Sequence, residues 1–154
     1  MEMRYEHYIK TTADLLWQAI LDPEIRAKYN FGARMTSAWT EGASIEMRTP
    51  DGVVVLGTGD VLEVDPPKRL FHTIVAHWSP EVEAEGVSRV TWDIEPIGDS
   101  CRLLLTHDQL ADGANSEIYG GWPMILSGLK TWLETGALLT TPGSMMYPQS
   151  TRPR

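Results

Sequence analysis

A single amphipathic segment near the carboxyl end of the chain follows a long series of strand-like segments. In that segment, apolar side chains recur at the spacing of an α-helix; they are Trp122, Ile125, Leu126, Leu129, Trp132 and Leu133. Pro123 suits the first turn of such a helix and Gly136 suits the residue after its end. A helix of about 14 residues is only about 21 Å long. It covers the core face of a large sheet only if the sheet bends around it.

The segments before this helix have the alternation and the β-branched residues typical of strands. They cover residues 3–10, 34–39, 43–49, 53–64, 70–78, 87–96 and 101–109. Most of the connections are short, which favours antiparallel pairing between neighbours. Gly57 and Gly59 lie inside the fourth segment, and glycines within a strand predict a bulge or a bend. We therefore expect a curved antiparallel sheet of about seven strands.

Two short helices are predicted between the first and second strands. Thr11 is the predicted N-cap of the first helix, and Asp14 completes a capping box. Asp22 is the predicted N-cap of the second helix, which runs from Pro23 to Tyr29 with the proline at its first position. The order strand, two helices, six strands and helix predicts an α+β fold.

The charge balance excludes several classes of partner. The formal net charge is -8 at pH 7 and the pI is about 4.9. Nucleic-acid binding needs a basic stripe, and this sequence has none. An anionic membrane surface would repel the chain, and no run of residues approaches the length of a membrane span. We therefore expect neither nucleic acid nor a membrane as a partner.

The single cysteine and the N-terminal residues indicate the compartment. Cys101 has no second cysteine with which to form an internal disulfide, and residues 1–10 lack the apolar stretch of a signal peptide. Both features favour a reducing environment, so the predicted localisation is cytoplasmic. The length suits one domain, which we assign to residues 1–139. Residues 140–154, rich in Thr, Pro and Ser, are predicted to form a flexible tail.

Four motifs in order along the chain resemble one family. They are LWQAILDPE at residues 16–24, GDVLEVDPPKRL at 59–70, RLLLTH at 102–107 and GWP at 121–123. They are similar to motifs of the activator-of-Hsp90-ATPase-homologue-like proteins, which belong to the START-like (SRPBCC) superfamily. The resemblance implies a helix-grip fold of the START/Bet v 1 type, with a cavity between the sheet and the long helix. It implies no particular activity, because such folds serve many functions.

Strand parity predicts which side chains face that cavity. His72, Ile74 and Trp78 share a face with Leu70, and His107 shares one with Leu103 and Leu105. Aromatic residues are expected in the walls, with Tyr29 and Phe31 at a mouth near the second helix. The predicted ligand-binding residues are Tyr29, Phe31, His72, Ile74, Trp78, Trp92, His107, Trp122, Ile125 and Leu129.

The two inward-facing histidines, His72 and His107, have two interpretations. They either hydrogen-bond a ligand inside an apolar cavity or are core histidines satisfied by the protein and by water. We predict no metal, because the four histidines are scattered along the sequence. We predict no catalytic residue and no cofactor, since Gly57-Thr58-Gly59 lacks the third glycine and the following helix of a dinucleotide-binding loop.

The sequence therefore predicts a module that binds an apolar small molecule without catalysis. Two alternatives stay open. One is a protein-interaction domain, co-chaperone-like or associated with a regulator, for which a homodimer is a further expectation. The other is an enzyme of the cyclase or hydrolase type that uses a pocket histidine.

Overall fold

In the computed structural model, which describes residues 1–144, the chain forms one curved antiparallel sheet around its C-terminal helix. The strands are β1 (Met3–Ile9), β2 (Arg34–Ser37), β3 (Ser44–Arg48), β4 (Val55–Asp65), β5 (Arg69–Ala76), β6 (Ser88–Ile97) and β7 (Ser100–Asp108). The helices are α1 (Ala13–Leu21), α2 (Pro23–Tyr29), α3 (Pro80–Glu83), a 3₁₀ turn (Ser116–Ile118) and α4 (Trp122–Thr135). The predicted helix-grip α+β fold is confirmed.

The sheet has the order β1-β7-β6-β5-β4-β3-β2, and every neighbouring pair is antiparallel. Register shifts occur between Met47 and Arg48 opposite β4, and between Val61 and Glu63 opposite β5. Such irregularities increase the local twist and bend the strands. At Gly59 the chain passes so close to β5 that an added Cβ would lie 2.1 Å from the Thr73 carbonyl oxygen. The predicted bulge and bend in this strand are therefore present.

The first two helices begin at side-chain caps. The hydroxyl of Thr12 accepts from the Leu15 N–H at 3.2 Å, so Thr12 is the N-cap of α1. The prediction of Thr11 was wrong by one residue, because the extended backbone that a cap requires occurs at Thr12. Asp22 caps α2 as predicted, accepting from Glu24 and Ile25, and Pro23 is the first residue of the helix.

Helix α4 lies in the concave side of the sheet and packs against α2, β1 and α1. Helix α4 approaches α2 closely at Gly128, where an added Cβ would lie 2.9 Å from the Cβ of Tyr29. Gly136 ends the helix in the left-handed conformation, with φ of 74°, as its position predicted. This packing holds α2 over one end of the space between sheet and helix.

Two segments, helix α3 and the start of the predicted tail, contain structure that the sequence did not predict. Helix α3 lies between two predicted strands, where the sequence analysis places no helix, although Ser79 caps it and Pro80 is its first residue, both of which are helix-start signals. Of the predicted tail, residues 141–144 form a turn in which Ser144 donates to the Leu139 carbonyl. Residues 145–154 lie outside the described residues.

Candidate ligand-binding site

A cavity of about 100 Å³ lies between the inner face of the sheet and α4. Apolar side chains form much of its wall, including Met35, Met47, Ile74, Val90 and Ile125. Its polar side chains include Arg26, Asn30, His72, Ser88 and His107. An engineered cavity of about 150 Å³ holds benzene, whereas drug-sized ligands need about 300 Å³ or more. At about 100 Å³ the space is smaller than either, so it suits at most one ring-sized group, either a small molecule or the buried end of a longer one.

The accessible end of the cavity lies among loops. Glu117, which is exposed, lines this end together with the partly exposed Trp78, Gly86 and Ile118. The Trp78 indole donates to a Glu117 carboxylate oxygen at 3.3 Å, which links the β5–α3 connection to the 3₁₀ turn before α4. The expected mouth at Tyr29 is not found, because the Tyr29 ring is buried and its hydroxyl donates to the Ala19 carbonyl at 2.8 Å.

His72 is fully engaged by protein groups. Its Nδ1 lies 2.9 Å from the Thr73 carbonyl oxygen, which can only accept, so Nδ1 carries the hydrogen. Its Nε2 then accepts from the indole N–H of Trp92 at 3.3 Å. Burial, with smaller contributions from Arg26 and His107, lowers the pKa of His72 to about 4, although the Thr73 carbonyl opposes this shift. The ring is therefore neutral at physiological pH.

His107 has the opposite tautomer. The indole N–H of Trp122, which can only donate, lies 3.0 Å from Nδ1. Nδ1 must therefore accept, and the neutral ring carries its hydrogen on Nε2, which donates to the Ser88 hydroxyl oxygen at 2.7 Å. Burial lowers the pKa of His107 to about 4, with Asp108 opposing the shift. Protonation of Nδ1 would place two N–H groups against each other.

This geometry decides what the Ser88–His107 pair does chemically. A general base would need a free Nε2 lone pair to take the proton from Ser88. Trp122 instead holds the hydrogen on that nitrogen, so His107 is a donor to the serine and not its base. The Ser88 hydroxyl is left to donate its own hydrogen elsewhere, and its side chain lines the cavity. The pair therefore leaves a hydroxyl donor in the cavity wall.

Among residues 1–144, Arg26 is the only arginine in the cavity wall, and it is 2% exposed. One of its terminal nitrogens donates to the Ile20 carbonyl at 3.0 Å, while its buried Nε has no partner among residues 1–144. The guanidinium lies 5.0 Å from the Trp92 ring centroid and 5.9 Å from that of Tyr29. Burial lowers the pKa of Arg26, and Tyr29 opposes the shift. No ion pair joins it to any carboxylate of the described chain.

The structure brings most of the predicted site residues to one place. The cavity wall includes Phe31, His72, Ile74, Trp78, His107, Trp122 and Ile125. Three others lie behind the wall; they are Tyr29, Trp92 and Leu129, all buried in the core. Trp92 still touches the site, because its ring packs edge-on against Trp122 with centroids 5.5 Å apart. Whether any of them contacts a ligand stays a prediction.

Three buried polar cavity residues were missed by the sequence analysis: Arg26, Asn30 and Ser88. A signal existed for Arg26, which precedes the predicted site residue Tyr29 by three positions and so shares its helix face. Asn30 follows that helix directly, and its amide donates to the Met47 sulfur at 3.5 Å. Ser88 lies two residues before Val90 and therefore shares the inner face of β6.

The described residues contain neither a cluster of metal ligands nor a membrane-spanning helix. Among residues 1–144, His, Cys, Asp and Glu side chains nowhere gather in threes as a metal site requires. Within that range, no helix has both the length and the apolar character needed to cross a membrane.

A comparison with family models identifies the chain. Residues 10–134 match the model described as activator of Hsp90 ATPase homolog 1-like protein. The chain belongs to this family. The resemblance inferred from the four motifs is thereby confirmed. No curated protein matches this member of the family at a significant level.

Solved structures share the fold of this Hsp90-ATPase-activator-homologue-like chain at low sequence identity. CalU16 from Micromonospora echinospora is 21% identical with a TM-score of 0.69, over 97% of this chain and 82% of that one. MLL2253 from Mesorhizobium loti is 22% identical with a TM-score of 0.72, over 90% of this chain and 100% of that one. The Aha1 dimer from Colwellia psychrerythraea is 16% identical with a TM-score of 0.70, over 88% of this chain and 98% of that one. These likenesses support the helix-grip architecture.

Proposed function

We propose that this protein binds a small, largely apolar molecule in the cavity between the curved sheet and α4, without catalysing a reaction on it. The observation that carries the proposal is the cavity of about 100 Å³ at the junction of sheet and helix. Protein interiors are close-packed, so a void larger than several waters is unusual unless it has a use.

The hydrogen bonds inside the cavity support binding over catalysis. Both nitrogens of His72 and both nitrogens of His107 are used by protein groups. Neither ring has a lone pair free to remove a proton from a substrate, and a hydrolase or cyclase that depends on a pocket histidine needs one. The histidines instead position the indole of Trp122 in the wall and the indole of Trp92 behind it.

A cavity-filling variant tests the proposal. Ala76 lines the cavity at the end of β5, and its neighbour Val75 lies on the opposite face of the strand. We expect benzyl alcohol to shift the amide NMR signals of cavity residues in the wild-type protein. Ala76→Leu should weaken this binding at least tenfold because its side chain occupies the space. Val75→Leu, the matched control, should bind like the wild type.

Two results would count against binding in this cavity. One is a wild-type protein whose amide signals do not respond to benzyl alcohol at millimolar concentration. The other is an Ala76→Leu protein that is folded, by its amide spectrum, and binds the probe as tightly as Val75→Leu does. Mass spectrometry of the purified protein under native conditions would also detect a molecule that co-purifies with it.

A further inference from the structure

The most unusual group in the cavity is the guanidinium of Arg26. Buried charges in proteins are normally paired with an opposite charge, since an unpaired charge away from water is strongly destabilising. Arg26 is 2% exposed, yet it makes no ion pair among the described residues and its Nε has no hydrogen-bond partner. The protein therefore maintains a positive charge next to an apolar space without compensating it.

The surroundings of this guanidinium hold it in place without neutralising it. The faces of Trp92 and Tyr29 provide cation–π contacts, with centroids at 5.0 and 5.9 Å. The Ile20 carbonyl accepts one N–H bond at 3.0 Å. His72, whose pKa the Arg26 charge helps to lower, is neutral. An arginine has five N–H donors in a planar fork, and in Arg26 the Nε donor has no partner among the described residues.

Two other polar side chains of the inner cavity, Ser88 and Asn30, also offer donors. The Ser88 hydroxyl oxygen accepts a hydrogen bond from the His107 Nε2–H, so the hydroxyl hydrogen is left to donate. Asn30 is 4% exposed, and its amide nitrogen donates to the Met47 sulfur over a long distance of 3.5 Å. The Glu117 carboxylate lies at the accessible end. A ligand that satisfies the donors of Arg26, Ser88 and Asn30 must therefore supply acceptor oxygens.

From these contacts we propose that the ligand is an anion: a small aromatic or aliphatic carboxylate whose charged end pairs with Arg26 and whose apolar body fills the cavity. The inference rests on the proposed binding function and adds the ligand's chemical class. A carboxylate matches the guanidinium fork in geometry, and such charge-assisted bonds are about twice as strong as neutral ones. The lining by Met35, Ile74 and Ile125 suits the hydrocarbon part.

A pair of probes of equal shape separates charge from shape. Benzoate and benzamide differ only in the carboxylate and its amide, and each has a single ring. By isothermal titration calorimetry at pH 7.5, we expect the wild-type protein to bind benzoate at least tenfold more tightly than benzamide. Arg26→Met should abolish this preference and still bind benzamide. Arg34→Met, the control, removes an arginine that pairs with Glu24 at the surface and should keep the preference.

Each outcome has a separate meaning. Equal wild-type affinity for the two probes would overturn the anionic ligand and leave the cavity function standing. A benzoate preference that survives in Arg26→Met would also overturn it. Binding of neither probe by the wild type would contradict both proposals. If Arg26→Met does not fold, Arg26→Gln replaces it, and the wild-type ratio does not depend on any variant.

Discussion

The indole N–H of Trp122 determines the state of His107. An indole nitrogen only donates, so the histidine nitrogen 3.0 Å away must accept. That one contact places the remaining hydrogen on Nε2 and removes the lone pair that a Ser88–His107 dyad would need. At the scale of single residues, the identity of the partner therefore decides between a base and a structural donor.

Replacing Trp122 should show the two parts of its role. Trp122→Ala should lower the free energy of unfolding by about 3–5 kcal/mol, because it removes a ring that is only 8% exposed. Trp122→Phe should cost about 1–3 kcal/mol, mainly by leaving His107 Nδ1 without a donor. Urea denaturation measures both. A loss below about 1 kcal/mol for Trp122→Ala would contradict the packing role.

The two buried histidines should make the protein less stable in mild acid. Their folded-state pKa values of about 4 lie below the usual 6.5, so the unfolded chain binds more protons between these values. The contribution of the two neutral rings to stability is fully present above pH 6.5 and is lost as the pH falls towards 4. Between pH 6.5 and 5 we expect the free energy of unfolding to fall by on the order of 3 kcal/mol.

Urea denaturation at each pH measures this loss. His72→Gln removes one of the two titrating groups and should reduce the pH dependence by about half, whatever its effect on stability at pH 7. A wild-type free energy of unfolding that stays constant between pH 6.5 and 5 would show that the rings are not held neutral.

At the scale of elements, β4 combines two glycines with different roles. A Cβ on Gly59 would meet the backbone carbonyl of Thr73 at 2.1 Å, which neither strand can relieve without separating. A Cβ on Gly57 would meet the tips of Ile74 and Met47 at 3.3 and 3.4 Å, and flexible side-chain ends can shift. Gly57 also lines the cavity. One glycine permits the bend of the sheet, and the other leaves room beside the pocket.

Alanine at these two positions should therefore have different effects. Gly59→Ala should lower the free energy of unfolding by roughly 2 kcal/mol or more through overpacking between β4 and β5. Gly57→Ala should cost less than about 1 kcal/mol but weaken binding of benzyl alcohol, because the added methyl group enters the cavity. Chemical denaturation and NMR titration measure the two effects. Equal loss of stability in both variants would contradict the assignment.

At the scale of the whole molecule, the proposed ligand should act as a stabiliser. A ligand that binds only the folded state at 100 times its Kd adds about 2.7 kcal/mol to stability. For a domain of this size, that corresponds to a rise in Tm of roughly 5–10 °C. We expect this rise for the wild type with benzoate and its absence in Arg26→Met. A Tm of wild type that does not move at saturating benzoate would contradict binding to the folded state.

Much of the architecture followed from local patterns in the sequence. The helical spacing after Trp122, the caps at Asp22 and Gly136, and the glycines in β4 predicted the elements and the bend of the sheet. These signals are readable because each depends on residues within a few positions of one another. The error at Thr11 and the missed helix α3 also concern signals within a few residues, since both lie at the N-terminal cap of a helix.

What the sequence by itself determined is therefore the order of strands and helices and the faces that His72 and His107 share with apolar neighbours. Only the tertiary structure decided which side chains contact each other in and around the cavity. Ser88, His107 and Trp122 come from β6, β7 and α4, and Arg26 meets Trp92 across the core. Backbone periodicity predicts which way a side chain points. Its partner across the core is set by the packing of distant segments, which no local pattern contains.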